Sequence, residues 1–316
     1  MSIELSIIVP VYQEEESISI FLGQIQPVLE NLTPRYELIF CLDPGQDKTE
    51  DVIRQYIEAD PRICLLVFTR RFGQPAATVA GIESCRGKAC VVIDVDLQDP
   101  PSVIGDLYKK WKEGFDVVYA QRRSREGETF LKRAVSSLGY WIINRISEVP
   151  IPQNTGDFRL IDRKVIESLR GLKETHGFLR GLVAYVGFKQ TGVLYDRDPR
   201  YTGRSKYNRF TGSLRIGMNG VVAFSRKPLT LASIMGFSMA AVGFSLSIFY
   251  ILQKFIFNKE MTPGLASTIM IVTLFAGVQL ICLGIMGEYI GRIYDEVRMR
   301  PKYMIARRVN LPEEPL

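Results

Sequence analysis

Two aspartates that follow a buried strand are the residues in this sequence best suited to chemistry. Segment 89–93 is apolar and partly β-branched, which predicts a strand, and Asp94 and Asp96 come directly after it. In an extended chain, residues two apart point to the same side, so both carboxylates would face one site. Carboxylate oxygens are ligands for Mg²⁺ or Mn²⁺, and these ions in turn bind diphosphates. The alternative for an isolated pair of this kind is a solvated acidic turn.

Alternating strand and helix patterns surround this pair in the first part of the chain. Hydrophobic periodicity predicts strands at 5–11, 36–42, 63–69, 89–93 and 116–120, and helices at 15–32, 49–59, 74–84 and 102–113. Strands that alternate with helices form a mainly parallel sheet with helices on both faces. Open sheets of this class bind ligands at the carboxyl ends of their strands, which is where the aspartate pair falls. Further helices are expected at 130–149 and 178–186.

Two uncharged windows, 228–253 and 261–287, lie towards the C-terminus. Each exceeds the length of about 20 residues with which a helix crosses a bilayer. One such window could be a buried core helix, but two in tandem predict a pair of transmembrane helices. An amphipathic pattern at 209–224 predicts a helix that lies along the membrane surface or serves as a linker.

The distribution of basic residues predicts how the two spans are oriented. Eleven basic residues flank the pair: Lys206, Arg209, Arg215, Arg226 and Lys227 before it, and Arg292, Arg298, Arg300, Lys302, Arg307 and Arg308 after it. Between the spans the basic residues are Lys254 and Lys259. The positive-inside rule therefore places both termini and the N-terminal domain in the cytoplasm.

Composition narrows the class of partner. The net charge is +6, and no basic run is interleaved with aromatic residues, so anionic lipid is a better partner than nucleic acid. The five cysteines show no metal-ligand spacing, and His176 is the only histidine. A mechanism that uses a histidine base therefore has a single candidate.

Several segments together resemble family 2 glycosyltransferases with the GT-A fold. Segment 7–16 (IIVPVYQEEE) resembles their nucleotide-binding start, and segment 94–101 (DVDLQDPP) resembles the metal-binding segment of the dolichol-phosphate mannose synthases. With two C-terminal spans and the closing segment 287–294 (GEYIGRIY), the chain is most similar to the bactoprenol glucosyltransferase subgroup of polyprenyl-phosphate glycosyltransferases. The resemblance covers essentially the whole chain.

The resemblance implies a role for each matched position on the donor side. Pro10, Tyr12, Glu14, Asp43, Asp94, Arg200 and Lys206 would bind the nucleotide sugar, and Asp96 and Gln98 would bind Mg²⁺ or Mn²⁺. For the first three, a strand-to-helix turn with a capping carboxylate is the alternative. At 42–45 the chain reads LDPG where the family usually has Asp-Asp-Gly-Ser, and Pro44 lacks a backbone donor.

On the acceptor side, Asp157 within segment 154–159 (NTGDFR) matches the acidic position that faces the acceptor. A phosphate acceptor is already ionised near neutral pH, so Asp157 acts either as a base or as a group that orients the substrates. Arg122, Arg133 and Ser137 match positions that hold the lipid phosphate in the mannose synthases. Guanidinium groups bind phosphate in a bidentate manner, and a step of four residues puts the last two on one helix face. A basic face resting on lipid headgroups is the alternative.

These inferences combine into one predicted organisation and activity. Residues 1–207 form a GT-A catalytic domain, 208–227 a juxtamembrane amphipathic helix or linker, 228–287 a transmembrane hairpin and 288–316 a cytoplasmic tail. The enzyme would transfer a hexose, by resemblance glucose from UDP-glucose, to undecaprenyl or another polyprenyl phosphate with inversion at the inner or plasma membrane, with Asp94 and Asp157 catalytic. Alternatives are transfer of mannose or an aminoarabinose-type sugar, or an inactive scaffold that partners a flippase. Homo-oligomerisation is left open.

Overall fold

The fold is described for residues 2–123, 152, 155–172, 179–197, 225, 227–255 and 264–312 of a computed structural model. The strands are β1 (Leu5–Val11), β2 (Tyr36–Leu42), β3 (Ile63–Phe68), β4 (Ala89–Val92), β5 (Val117–Arg122), β6 (Thr155–Asp162), β7 (Gln190–Tyr195) and β8 (Ile305–Val309). The helices are α1 (Glu15–Leu32), α2 (Thr49–Ala59), α3 (Gln74–Ser84), α4 (Val103–Lys112), α5 (Arg163–Arg170), α6 (Leu179–Tyr185), α7 (Lys227–Phe255) and α8 (Leu265–Val297). The strands and helices predicted as far as β5 are confirmed, with small differences at their ends.

The eight described strands form one mixed sheet in the order β7-β5-β6-β4-β1-β2-β3-β8. Strands β4, β1, β2 and β3 are parallel neighbours, and β5 pairs with β7 in parallel. Strand β6 runs antiparallel between β4 and β5, and β8 runs antiparallel to β3. The prediction of a mainly parallel α/β sheet is confirmed.

Both faces of the central strands are covered by helices. Helices α1, α2 and α4 contribute to the core on one face, where Phe21 contacts Phe40, and α3, α5 and α6 contribute to the core on the other. Every residue of β1, β2 and β3 is buried as a result. Double-sided burial explains why these strands are almost entirely apolar in the sequence, and the two buried exceptions, Ser6 and Glu37, are hydrogen-bonded to each other.

Helix α3 packs very closely on the sheet, and a glycine permits this. A Cβ atom added to Gly81 would lie 2.8 Å from Cys41 Sγ and closer still to Ile8. Contacts so short do not occur with real side chains, so a larger residue at this position would push α3 away from the sheet. The close packing holds the N-terminal end of α3 beside the carboxyl ends of β1 and β4.

The antiparallel strand β6 carries residues to the end of the sheet where the carboxyl ends of β1 and β4 lie. Its register pairs Val92 of β4 with Arg159, and continuing that register brings Asp157 opposite Asp94. Because side chains alternate along a strand, Asp157 and Arg159 both point to the face that carries α3 and α6. Asp157 thus lies beside the acidic end of β4.

Helices α7 and α8 are the two described helices that are long and apolar enough to cross a membrane. Of their most apolar windows, only 6% of Lys227–Leu246 and 0% of Leu274–Val297 is buried. Phe237 is 79% exposed and Leu280 is 69% exposed, whereas a core helix would bury such side chains. The structure therefore leaves the surfaces of both helices available to lipid. The amphipathic segment 209–224 lies outside the described residues.

After α8 the chain returns to the sheet. Helix α8 continues to Val297, and β8 then forms the edge of the sheet beside β3, within the segment 288–316 that the sequence analysis treated as a tail. Asn310 Nδ2 donates to the carbonyl of Ile63 at 2.9 Å, and Arg307 pairs with Glu50 of α2 at 2.6 Å. The end of the chain is therefore joined to the N-terminal α/β unit.

Candidate active site

A cleft of about 190 Å³ opens at the carboxyl ends of β1, β2 and β4. It is lined by Pro10, Val11, Tyr12, Glu14, Asp43, Gln74, Ala77, Asp94, Val95 and Asp96. Every residue that the sequence predicted to bind the nucleotide sugar, and that belongs to the described chain, is among them. The cleft occupies the position where open parallel sheets bind their ligands.

Asp94 lies among the other carboxylates of the site. Burial, together with the nearby carboxylates of Asp96, Asp99 and Asp157, raises the pKa of Asp94 to about 7. The side-chain amide of Gln74, at the start of α3, donates a hydrogen bond of 2.7 Å to Asp94 Oδ1. Sequence reasoning missed Gln74, because a glutamine at a helix start has no distinctive signal of its own.

Asp96 organises the turn that follows β4. Its Oδ1 accepts a hydrogen bond of 3.1 Å from the backbone N–H of Gln98, and Leu97 between them has a φ of 57°. A positive φ is unfavourable for leucine, so the surrounding contacts hold this turn in place. Asp96 faces the cleft, whereas Gln98 is half-buried and is not among the lining residues.

The residues of this site fit a divalent cation only in part. Among the described residues, no group of three or more His, Cys, Asp or Glu side chains is placed to hold a metal ion. The chain itself offers Asp94 and Asp96, and Mg²⁺ is commonly held by one or two carboxylates together with substrate phosphates and water. Burial is the largest cause of the raised pKa of Asp94, and the charges of Asp96, Asp99 and Asp157 add to it, which a cation would offset. The donor set therefore suits a cation that arrives with a diphosphate.

Asp43 is buried and holds the loop between β3 and α3. Its Oδ1 accepts a hydrogen bond of 2.9 Å from the N–H of Phe72, and its Oδ2 accepts one of 2.8 Å from the N–H of Gly73. Gly73 has a φ of 91°, which glycine adopts at no steric cost. Asp43 thus lines the cleft and also fixes the loop that precedes α3.

The residues that follow β1 line the cleft and also make structural contacts. Glu14 Oε2 accepts a hydrogen bond of 2.9 Å from Ser17 Oγ at the start of α1, but the side chain accepts none from a backbone N–H of the helix and so does not cap it. The guanidinium of Arg71 lies 3.9 Å from the ring centroid of Tyr12, which is within range of a cation–π contact. Arg71 was not predicted, because only the fold brings its loop beside Tyr12.

Asp157 is held as a carboxylate by basic neighbours. Arg180 Nε donates to Asp157 Oδ1 at 2.9 Å, and Arg159 is buried beneath it with its Nη2 donating to the carbonyl of Gly156 at 2.8 Å. Burial alone would raise the pKa of Asp157, but the charges of Arg180, Arg159 and Arg122 outweigh it and lower the pKa. Asp157 is therefore ionised at neutral pH and has little affinity for a proton.

Arg122 belongs to a buried polar cluster at the end of β5. Its Nε donates to the Tyr195 hydroxyl at 3.1 Å, its Nη2 lies 3.7 Å from Asp99 Oδ1, and the same hydroxyl donates to Asp99. Arg197 Nε is 3.6 Å from the same carboxylate oxygen. The cluster adjoins the acidic end of β4, where Asp94 is close enough to Arg122 to interact with it electrostatically. The remaining predicted site residues, Arg133, Ser137, Arg200 and Lys206, lie outside the described residues.

A carboxylate-rich cleft at the strand ends of this sheet is consistent with the family that the sequence matches. Residues 6–170 match the family model described as glycosyl transferase family 2. The chain belongs to this family and is a glycosyltransferase, and its GT-A-like fold with a mostly parallel sheet agrees with the prediction.

Curated relatives match the chain over nearly its whole length. A Bacillus subtilis glycosyltransferase, YkcC, whose own activity is uncharacterized, is 44% identical over 96% of this chain and 94% of its own. The bactoprenol glucosyl transferase of Shigella phage SfII is 37% identical over 96% of this chain and 98% of its own. A prophage bactoprenol glucosyl transferase homolog of Escherichia coli K12 is 37% identical over 96% and 99%.

Solved structures match the chain with much lower sequence identity than the curated relatives do. A mannosyltransferase from Pyrobaculum calidifontis, solved in complex with GDP-Man and Mn²⁺, has 15% identity and a TM-score of 0.47, and the match covers 92% of this chain and 88% of that one.

Proposed function

We propose that this protein is an inverting hexosyltransferase that moves glucose from UDP-glucose to undecaprenyl or another polyprenyl phosphate. The observation that carries the proposal is that Asp94 and Asp96 line one cleft of a family 2 glycosyltransferase, with Asp157 close enough for its charge to act on Asp94. The full-length similarity to proteins named bactoprenol glucosyl transferase supports this acceptor and this sugar. The exposed apolar helices α7 and α8 support an acceptor that is itself embedded in lipid.

A divalent cation, Mg²⁺ or Mn²⁺, is part of the proposal. Asp96 and Asp94 would hold it, with Gln98 at the end of the same turn as a further oxygen donor. When bound, such an ion stabilises negative charge on the leaving diphosphate. Protein residues do the rest: the loop held by Asp43 contacts residues that line the nucleotide cleft, and Gln74 orients the Asp94 carboxylate.

In the proposed reaction, an oxygen of the acceptor phosphate attacks the anomeric carbon of the sugar. A new bond forms from that oxygen to the carbon while the bond to the donor diphosphate breaks, and the nucleoside diphosphate leaves with the electron pair. The acceptor is already an anion, so no strong base is needed. Asp157, ionised and fixed by Arg180, is suited to orienting the sugar or the attacking phosphate rather than to taking up a proton. The rate would come mainly from positioning and charge stabilisation.

Basic residues would hold the two phosphate-bearing substrates. Arg122, Arg133 and Ser137 are proposed to bind the lipid phosphate, and Arg200 and Lys206 to bind the donor diphosphate. Arg122 lies next to the acidic end of β4, close to where the reacting centre would be. Its pairing with Asp99 and Tyr195 would keep the guanidinium in place for an incoming phosphate.

The position of β8 supports a hairpin across the inner or plasma membrane. Strand β8 follows both apolar helices and pairs with β3, which precedes them, so both strands must be on the same side of the membrane. The chain between them must therefore cross an even number of times, as α7 and α8 would do. By the positive-inside rule, the basic flanks support a cytoplasmic position for the catalytic domain and both termini.

We expect a single cysteine at Asn258, between α7 and α8, to be labelled from outside intact cells by a membrane-impermeant maleimide. Cys41, Cys64, Cys85 and Cys90 are buried, so Cys282→Ser gives a background with little labelling. Glu58→Cys, on the exposed side of α2, is the matched control and is expected to react only after lysis. Labelling of Glu58→Cys but not of Asn258→Cys in intact cells would reverse the proposed orientation.

The activity is tested by a donor panel with the purified full-length protein. We expect release of UDP from UDP-glucose only when polyprenyl phosphate and Mg²⁺ or Mn²⁺ are both present, with a glycolipid product of inverted anomeric configuration. GDP-mannose and UDP-N-acetylglucosamine are the comparison donors. Transfer from GDP-mannose alone would reassign the sugar, and the absence of transfer with every donor would favour a scaffold.

A further inference from the structure

The seven residues 298–304 connect α8 directly to β8. A chain of this length spans at most about 25 Å, so the cytoplasmic end of α8 is held close to the sheet edge. The connection also contacts the chain beyond the end of β3: the carbonyl of Met304 accepts a hydrogen bond of 3.0 Å from the N–H of Thr69. Thr69 is the first residue after β3 and begins the loop that leads to α3.

Tyr303 is the residue through which this connection contacts β3 and α3. Its ring packs edge-on against Phe68 with centroids 6.0 Å apart, and Phe68 packs in the same way against Phe72 at 6.2 Å. The Tyr303 hydroxyl donates to Glu83 Oε2 of α3 at 2.5 Å. Burial and the Glu83 carboxylate both raise the pKa of Tyr303, so the hydroxyl remains a donor. One side chain thus contacts the end of β3 and the helix that follows.

The loop that this ring stack supports contacts residues that line the nucleotide cleft. Phe72 and Gly73 donate their backbone N–H groups to Asp43, and Arg71 of the same loop lies over Tyr12. Residue Gln74, next along the chain, contacts Asp94. A displacement of Phe72 would therefore move the partners of Asp43 and Tyr12 together.

We propose that Tyr303 is a positioning residue for the nucleotide: it holds the loop 69–73 in the conformation that the donor cleft requires. The proposal rests on the proposed function only in taking the cleft as the site of a nucleoside diphosphate. It assigns to a residue beyond the membrane hairpin a role in donor binding, without contact to the donor.

A purely structural role for Tyr303 would lower the stability of the protein and leave the affinity of folded molecules unchanged. The two roles are separated by equilibrium binding of the free nucleotide to folded, full-length protein in detergent, without acceptor. UDP, GDP, CDP and dTDP are titrated into the wild type first, and the one that binds most tightly is used for the variants. Failure of UDP to bind would thus affect the proposed donor and leave this test intact.

Tyr303→Leu keeps apolar volume but removes the ring and the hydroxyl, and is expected to raise the dissociation constant of the nucleotide about tenfold, the effect of losing the ring contact with Phe68. Tyr303→Phe keeps the ring and is expected to stay within about twofold of the wild type. Arg307→Ala is the matched control, because Arg307 lies on β8, four residues further along the chain, but pairs with Glu50 of α2. It is expected to bind the nucleotide as the wild type does.

Steady-state kinetics give a second readout. Tyr303→Leu should raise the KM for the donor while the KM for the acceptor and kcat change little. Unchanged nucleotide affinity in folded Tyr303→Leu would overturn the proposal, as would an equal loss of affinity in Arg307→Ala. If Tyr303→Leu does not fold, Phe72→Leu breaks the same ring stack at its other end. Unchanged nucleotide affinity in folded Phe72→Leu would also overturn the proposal.

Discussion

Replacing Asp96 with asparagine is expected to lower sugar transfer about a hundredfold to a thousandfold while the protein stays folded. Asparagine retains an oxygen that can accept the Gln98 N–H, so the turn after β4 is preserved and only the charge of the proposed metal ligand is lost. The measurement is kcat with saturating donor and acceptor over a range of Mg²⁺ and Mn²⁺ concentrations. Asp96→Ala should lose at least as much activity, because it removes the turn acceptor as well.

The control for Asp96 is Asp106→Asn on α4, an exposed aspartate that carries the same charge and should leave transfer unchanged. Circular dichroism and thermal unfolding would check that both variants are folded. Wild-type turnover in Asp96→Asn, or full activity of the wild type in saturating chelator, would exclude the metal from the mechanism.

Replacing Asp157 with asparagine is expected to lower kcat about a hundredfold, with a pH profile parallel to that of the wild type between about pH 6 and 9. The reason is the low pKa of Asp157, which Arg180 and Arg159 produce against the effect of burial. A carboxylate already ionised across this range gives no titration of its own in the rate. Replacing it would therefore lower kcat by the same factor at every pH in this range.

Asp51→Asn, an exposed substitution on α2, is the control for the loss of one carboxylate and should have the wild-type rate. A residual rate in Asp157→Asn that rises steadily with hydroxide concentration would instead identify Asp157 as a general base. The two outcomes differ in the slope of log kcat against pH, so they can be separated even when the total loss of activity is the same.

The sequence predicted the central strands well because their burial is simple. Strands β1 to β4 are covered on both faces and are apolar apart from Ser6 and Glu37, which is a signal that needs no knowledge of the fold. Strand β6 gave no such signal, since Asp157 and Arg159 interrupt its apolar residues to serve the site. Strand β8 carries Arg307 and Arg308 and takes its place only because β3 is available far earlier in the chain.

The same distinction applies to the candidate site. Asp94 and Asp96 could be predicted because both follow one strand and their spacing alone places them together. The contact of Arg71 with Tyr12, and that of Gln74 with Asp94, join loops from different strands, so only the folded chain shows them. The ionic state of Asp157 likewise depends on Arg180, whose helix lies elsewhere in the sequence.

The pairing of β8 with β3 also bears on how the catalytic domain can be isolated. A fragment ending at residue 207 would leave β3 as an open sheet edge, with the wholly apolar segment Ile63–Phe68 and its free N–H and C=O groups exposed. Open apolar edges of this kind template pairing between molecules, which leads to aggregation. A soluble version of the domain therefore needs residues 303–311 rejoined to it, by a linker that replaces the membrane hairpin.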